Sequence, residues 1–447
     1  MNRILTKNWK IFLILIAAVG LFLRISYGHD MEYKEDEEYN FVQTQLIGHS
    51  QPFPWVGMPS GVYIPNPGAS IWVFFVLARA FSIHDPVVLA HAVQIFAWLG
   101  ILLILPMAAY FVKREEREPW LWAFALAMVN PLLILYQRKL WPEPFMPAFC
   151  MIMLMGYYRR KGSLGAFFWG LAGAILGQIH MSGFFLAFAL FAWTVIFAPD
   201  RKKIRWPAWF LGSSLGALPL IPWLIEWRTH PTSGAISAGL QEMIQLKYWV
   251  FWISNSLGLH LGNALGLMLG QSNLAQLQNF NPYPLIAGRA TYLVLLSHLA
   301  ITASSLLILV IALRFFWKNR KQILSLAIGR GSDTAFVQNA AFFGCGLILT
   351  LTGVVIRRYY LATTFPFELI WLARLALREP KFGRMYLGFL VTAQLVISAS
   401  FVQFIHLNHG STQGDYGPSY QTLSQVGGRT GRYGWDPNPP GLAPRDR

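Results

Sequence analysis

Cysteine is nearly missing from this chain, and charge is scarce. Cys150 and Cys345 are the only thiols in 447 residues and both lie in apolar runs. They can build neither a disulfide framework nor a cysteine-based zinc site. Charged residues make up 13% of the chain, against about 25% in soluble proteins. Apolar residues make up 55%, and the mean hydropathy is +0.43. So little charge cannot coat the two or three soluble domains that the length would allow, and the composition fits the bilayer as solvent. No solenoid-period repeat is present, and the only low-complexity segment is the Gly/Pro-rich tail from about 407 to 447. The first apolar stretch is followed by no A-x-A-like cleavage site, so it reads as an uncleaved anchor.

What the chain has in abundance is apolar runs. A spanning helix needs about 20 apolar residues. Eleven stretches qualify, near 9–27, 87–112, 119–136, 143–158, 164–179, 182–198, 206–226, 289–313, 335–356, 359–377 and 385–405. The 164–198 run is divided at His180-Met181-Ser182-Gly183, because only that count keeps the flanking cations on one side. Short loops on that side carry 22 of the 36 Lys and Arg, among them Lys113, Arg160, Arg201 and Arg330. They alternate with cation-poor loops, as the positive-inside rule expects. The net charge of +16 therefore predicts orientation and contact with anionic lipid, with no nucleic-acid partner. The expected placement is the inner cell membrane, with a cytoplasmic N-terminus, a membrane domain over 1–405 and an outer tail over 406–447.

On the opposite face the polar residues gather. The long first outer loop, 28–86, holds six carboxylates between Asp30 and Glu38. Phe41–Ile47 reads as a short amphipathic helix, Tyr63–Gly68 as a turn, and Ala69–Phe81 as an apolar helix along the membrane surface. A second outer loop contains Arg138, Lys139 and Glu143, and His180 marks the third. The fourth, 227–288, is nearly uncharged, and Leu240–Trp252 within it suits an interfacial helix. Arg357-Arg358 followed by Tyr359-Tyr360 form the fifth.

Such a set suits chemistry on a lipid-linked phosphate. Arg forks at Arg138, Arg357 and Arg358, with Lys139 beside them, match phosphate oxygens. A nearby carboxylate can take the proton of an attacking hydroxyl. Polyprenyl phosphate is a good leaving group when clamping cations hold its charge. Glycosyl transfer to a hydroxyl needs one base and that clamp, without the second carboxyl acid of a glycoside hydrolase.

At these residues the chain resembles the membrane glycosyltransferases of the GT-C fold, in the branch of protein O-mannosyltransferases and aminoarabinose transferases. Asp36-Glu37-Glu38-Tyr39 follows the first span, where that family has an Asp-Glu signature. Pro65-Asn66-Pro67 and the helix after it resemble a proline-marked helix of the same loop. Arg138 and Glu143 reproduce an R-x-x-x-x-[DE] spacing, and Arg358-Tyr359-Tyr360 with Phe365-Pro366 resembles a late segment near the lipid phosphate. The resemblance implies an all-α, GT-C-like bundle and an inverting glycosyltransferase. Asp36 would be the base and Glu37 a supporting acid, with Arg138, Lys139, Arg357, Arg358 and Tyr359 at the donor phosphate and Glu143 and His180 beside them. It implies a polyprenyl-phosphate sugar as donor and a protein, lipid or glycan as acceptor. No cofactor is required, although acids near phosphate can share a divalent cation.

Blander readings compete. The acidic run could be a solvated loop, and Glu143 after Pro142 could cap a helix. Arg357 and Arg358 could be interfacial anchors with their tyrosines, and His180 could satisfy a tight turn. Arg24 most simply pairs with the acidic run. Glu368 falls inside the tenth span, where an acid usually faces a pathway. It supports the rival function, a transporter or flippase of a lipid-linked precursor.

Overall fold

The structure is a computed structural model that describes residues 7–58, 64–229, 239–259, 261, 277, 279–411 and 416–425. Tyr63, Gly414, Asp415, much of the 227–288 loop and the end of the tail lie outside the described residues.

The chain is helical almost throughout. Its first half runs through α1 (Lys7–Ile25), α2 (Glu35–Leu46), α3 (Ala69–Ala80), α4 (Pro86–Leu102), α5 (Ile104–Tyr110) and α6 (Arg117–Val129). There follow α7 (Pro131–Gln137), α8 (Met146–Tyr158), α9 (Ser163–Ile179), α10 (Ser182–Phe197), α11 (Trp206–Ala217) and α12 (Leu220–Thr229). The second half adds helices Lys247–Leu257, Leu293–Lys318, Asp333–Leu351, Phe367–Ala376 and Pro380–Asn408. A two-residue hairpin, Leu285–Ile286 with Arg289–Ala290, is the one sheet among the described residues.

Length alone does not carry the count to eleven. Five described helices are long and apolar enough to cross a membrane, and two bent pairs raise the number to seven. The remaining apolar stretches are shorter. The thirteen residues of α8 reach only about 20 Å at 1.5 Å per residue, short of a hydrocarbon core of roughly 30 Å. The expected span 359–377 is divided into a 3-10 turn, Arg358–Thr364, and a ten-residue helix, Phe367–Ala376. Pro366 stands between them and has no N–H to continue the ladder. Leu240–Trp252 is likewise two helices, Leu240–Ile244 and Lys247–Leu257, parted at Leu246 in left-handed backbone (φ 49°).

Small residues bring the helices together, as expected where lipid tails are as apolar as the side chains. α9 and α11 meet through glycines. A Cβ at Gly170 would lie 2.6 Å from the Ser213 hydroxyl, and one at Gly216 would lie 2.9 Å from the Leu171 carbonyl. Any larger side chain at this crossing pushes the two backbones apart.

Candidate active site

A break in the sixth helix delivers the first half of the site. Asn130 Oδ1 accepts the backbone N–H groups of Leu132 and Leu133 at 3.0 and 3.2 Å, and Pro131 occupies the first helical position. That is an N-cap with its preferred proline. The chain bends there by 53°. The following α7 lasts only seven residues, so Arg138 and Lys139 emerge beside the end of α1.

The acidic run forms the second half, and it is helical. Glu35-Asp36-Glu37-Glu38 make the first turn of α2, where the macrodipole favours negative charge. Glu37 accepts the Lys34 backbone N–H at 3.0 Å, one limb of a capping box. The predicted helix at 41–47 is the second half of α2. Glu37 and Glu38 are buried, while Asp36 remains half-buried. The solvated-loop reading is thereby corrected: a helix with its acids turned inward is not a solvated loop.

Glu32, which no motif singled out, is the hub. Its carboxylate is fully buried and pairs with both Lys34 and Lys139. The Lys139 ammonium is buried too, 4.2 Å from the Trp141 ring centroid and 5.6 Å from that of Tyr136. Burial raises the Asp36 carboxyl above the usual carboxylate range, while the Lys139 charge draws it back down. Glu37 is pushed up to about 8, first by burial and then by the Glu32 charge.

Glu143 and His180 face each other across the same end. Glu143 sits in the turn ahead of α8, and its Oε1 lies 3.6 Å from His180 Nε2. This resembles an ion pair, but burial acts on both partners. It pushes Glu143 up to about 8 and His180 down to about 4. Burial therefore favours the uncharged form of each partner. His180 Nδ1 is 2.6 Å from the Ser182 hydroxyl, so the histidine also serves the tight turn. Tyr359 wedges edge-on between Trp141 (5.6 Å) and His180 (5.9 Å). Asp36, Lys139, Glu143, Tyr359 and Tyr360 are all within electrostatic reach of one or more of the others.

The arginines separate. Arg357 is exposed and close enough for its charge to act on Tyr359 and Tyr360. Arg358 turns inward, 4.9 Å from the Phe251 ring centroid, with Nη1 3.4 Å from Asn255 Oδ1. Asn255 lines a small cavity of about 20 Å³, together with Glu143, Gln137 and Glu368. That is room for about one water. It joins the neighbourhood of Arg358 to that of Glu143.

Two expectations are overturned here. Arg138 is fully buried and donates to the carbonyls of Leu23, Arg24, Ser26 and Tyr27 at 2.8–3.2 Å. It closes the C-terminal end of α1, whose last carbonyls have no helical partner, and its fork is not presented to a phosphate. Arg24 does not pair with the acidic run. It binds Gln137 Oε1 at 2.5 Å and the carbonyls of Met128 and Ala127 at 2.9 and 3.1 Å.

Part of the tail completes the enclosure. The Tyr33 N–H donates to the Pro418 carbonyl, and the Tyr420 N–H to the Met31 carbonyl, at 3.1 and 2.9 Å. The Tyr416 hydroxyl donates to the Asp30 carbonyl at 2.6 Å, and its ring lies 5.8 Å from the Lys139 ammonium. His406 pairs with Asp30 at 2.8 Å. The signal for this strap in the sequence is faint: Tyr416 and Tyr420 stand in an otherwise small and polar stretch. Among the described residues no three His, Cys, Asp or Glu side chains are placed to hold a metal ion. The Glu32 carboxylate is held by two lysines.

The architecture is that of the GT-C fold. It is shared with ArnT, the aminoarabinose transferase of Cupriavidus metallidurans. The structure of ArnT bound to undecaprenyl phosphate aligns with a TM-score of 0.50 at 11% identity, over 91% of this chain and 79% of that one. Its apo state gives 0.51 at 11% identity, over 89% and 76%. The oligosaccharyltransferase AglB of Archaeoglobus fulgidus, solved with an inhibitory peptide and a dolichol-phosphate, gives 0.48 at 13% identity, over 94% of this chain and 57% of AglB. No protein-family model and no curated protein sequence matches the chain.

Proposed function

We propose that this protein is a membrane glycosyltransferase that moves a sugar from a polyprenyl-phosphate donor to a hydroxyl on a protein, lipid or glycan, at the outer face of the cell membrane. The observation that carries this reading is the meeting of Asp36, Lys139, Glu143, His180 and Tyr359 at one end of a GT-C bundle.

In the proposed reaction Asp36 takes the proton of the acceptor hydroxyl. The freed oxygen bonds to the anomeric carbon as the bond from that carbon to phosphate oxygen breaks, with inversion. The electron pair leaves on the polyprenyl phosphate, next to Arg357 and Arg358. Lys139, expected at the donor phosphate, is instead buried against Glu32, so in this scheme it acts on the base by favouring the ionised form of Asp36. Protonated Glu143 donates a hydrogen bond to the departing phosphate. Glu37 supports the arrangement as the cap of α2. The apolar grooves between spans and α3 hold the prenyl chain. A divalent cation has no assigned place in this scheme.

The test is transfer from a synthetic polyprenyl-phosphate sugar by purified Asp36→Asn protein. A general base contributes about 10²–10⁴-fold, so turnover falls by that factor. Near-normal turnover in the folded variant removes Asp36 from the mechanism. The transporter reading keeps one specific support, the buried Glu368 lining the same cavity as Glu143. It predicts that Glu368→Gln stops lipid movement in a protein that never transfers sugar.

A further inference from the structure

The end of the bundle opposite Asp36 holds a second, larger cavity. α8 begins next to Glu143 and α9 ends at His180, so the other ends of both helices mark the far side. The seventeen residues of α9 set the two ends about 25 Å apart. There, four loops enclose a cavity of about 580 Å³ lined by Lys113, Arg160, Lys161, Arg201 and Arg330, against two acids, Asp200 and Asp333.

The acids are already neutralised within the wall. Arg160 Nη2 grips Asp200 at 2.9 and 3.1 Å and lies 3.7 Å from Asp333. Lys161 adds a contact to Asp200 at 3.4 Å. Arg160 is buried, its guanidinium 4.2 Å from the Tyr157 ring centroid. The remaining cations are uncommitted. The Lys113 and Arg330 side chains make no hydrogen bond or ion pair among the described residues, and Arg201 gives one donor to the Ile196 carbonyl. Gly329 and Gly331, at φ 82° and 88°, turn the chain tightly on either side of Arg330. A Cβ at Gly331 would meet nothing within 4 Å.

The other walls are apolar, with Tyr157 and Phe336 stacked at 6.5 Å. Ile196 also lines the cavity and is 59% exposed, so an apolar side chain stands uncovered at its mouth. A fixed floor, an excess of three cations and an uncovered apolar residue at the mouth suit a phosphodiester anion that carries an apolar body. Basic pockets at the ends of membrane helices bind such headgroups. We propose that this cavity binds the phosphoryl headgroup of an anionic glycerophospholipid. A free phosphate shares the recognising chemistry and is the competing source.

Protein in neutral detergent, analysed by native mass spectrometry, separates these outcomes. With phosphatidylglycerol and phosphatidylcholine supplied equally, the anionic lipid is retained preferentially. The Lys113→Ala/Arg330→Ala variant loses that preference by roughly tenfold or more. Lys318→Ala/Arg320→Ala, on cations that do not line the cavity, retains it. If millimolar inorganic phosphate displaces the lipid from the parent protein, the phosphate site stands with free phosphate as its source. Equal retention of the two lipids, or an equal loss in the control variant, overturns the proposal.

Discussion

The two ends of this bundle hold similar side chains under opposite conditions. At the Asp36 end the cations Arg24, Arg138 and Lys139 are fully or almost fully buried, and carbonyls, an amide and the Glu32 carboxylate take up their donors. At the far end Lys113, Arg201 and Arg330 are exposed around an open cavity. A cation beside a carboxylate motif can thus be part of the wall, while one counted only for orientation stands free to bind. The difference lies in what surrounds each group. Arg138 meets the unsatisfied carbonyls of a helix end, which take up both of its Nη groups.

Breaking the Lys139–Glu32 pair has the largest expected effect. Lys139→Met leaves a buried carboxylate with one partner fewer, and losing one member of a buried pair costs about 3–5 kcal/mol. Thermal unfolding in detergent measures the loss. Stability equal to that of the parent would show that the Asp36 end is not a closed charge network. Arg138→Gln strips the carbonyls at the end of α1 of their donors, at about 1–3 kcal/mol. Stability falls, while donor-lipid affinity per folded molecule stays at the parent value. The reverse outcome would return Arg138 to the phosphate site.

The third test uses pH. Burial raises the folded pKa of Glu143 from the usual 4.5 to about 8. Its contribution to stability is therefore complete below about 4.5, and it is lost as pH rises through about 8. Glu143→Gln flattens the fall of melting temperature between about pH 4.5 and pH 8, and an unchanged fall over that range refutes the assignment. His180 has the opposite sign: its folded pKa is lowered to about 4, so its contribution is lost as pH falls from about 6.5 through about 4. The smallest effect belongs to the far end. Exposed, unpaired cations contribute little to stability, so Lys113→Ala/Arg330→Ala shifts it by no more than about 0.5 kcal/mol. A larger loss would make that cavity part of the scaffold.

The candidate site was only partly legible. Asp36, Glu143, His180 and Tyr359 could be collected from short motifs, because order and spacing after particular spans carry information that survives without coordinates. Glu32 could not be found in that way. An acid two residues from Lys34 has no mark of burial, and its second partner stands 107 positions away. Tyr416 is more remote still from Asp30, the residue whose carbonyl it holds. The span count also exceeded the helices long enough to cross, because apolar composition does not reveal a break such as Asn130-Pro131 or Pro366 until the backbone shows where its hydrogen bonds stop.

By itself the sequence determined the solvent. A chain this apolar, with its cations set in alternate short loops, must satisfy its backbone internally and lie in a membrane as helices. Only the tertiary structure decided which charges remain available. Availability depends on neighbours supplied by distant helices, and a carbonyl row or a buried carboxylate captures a cation only once packing has brought the two together and removed the water between them.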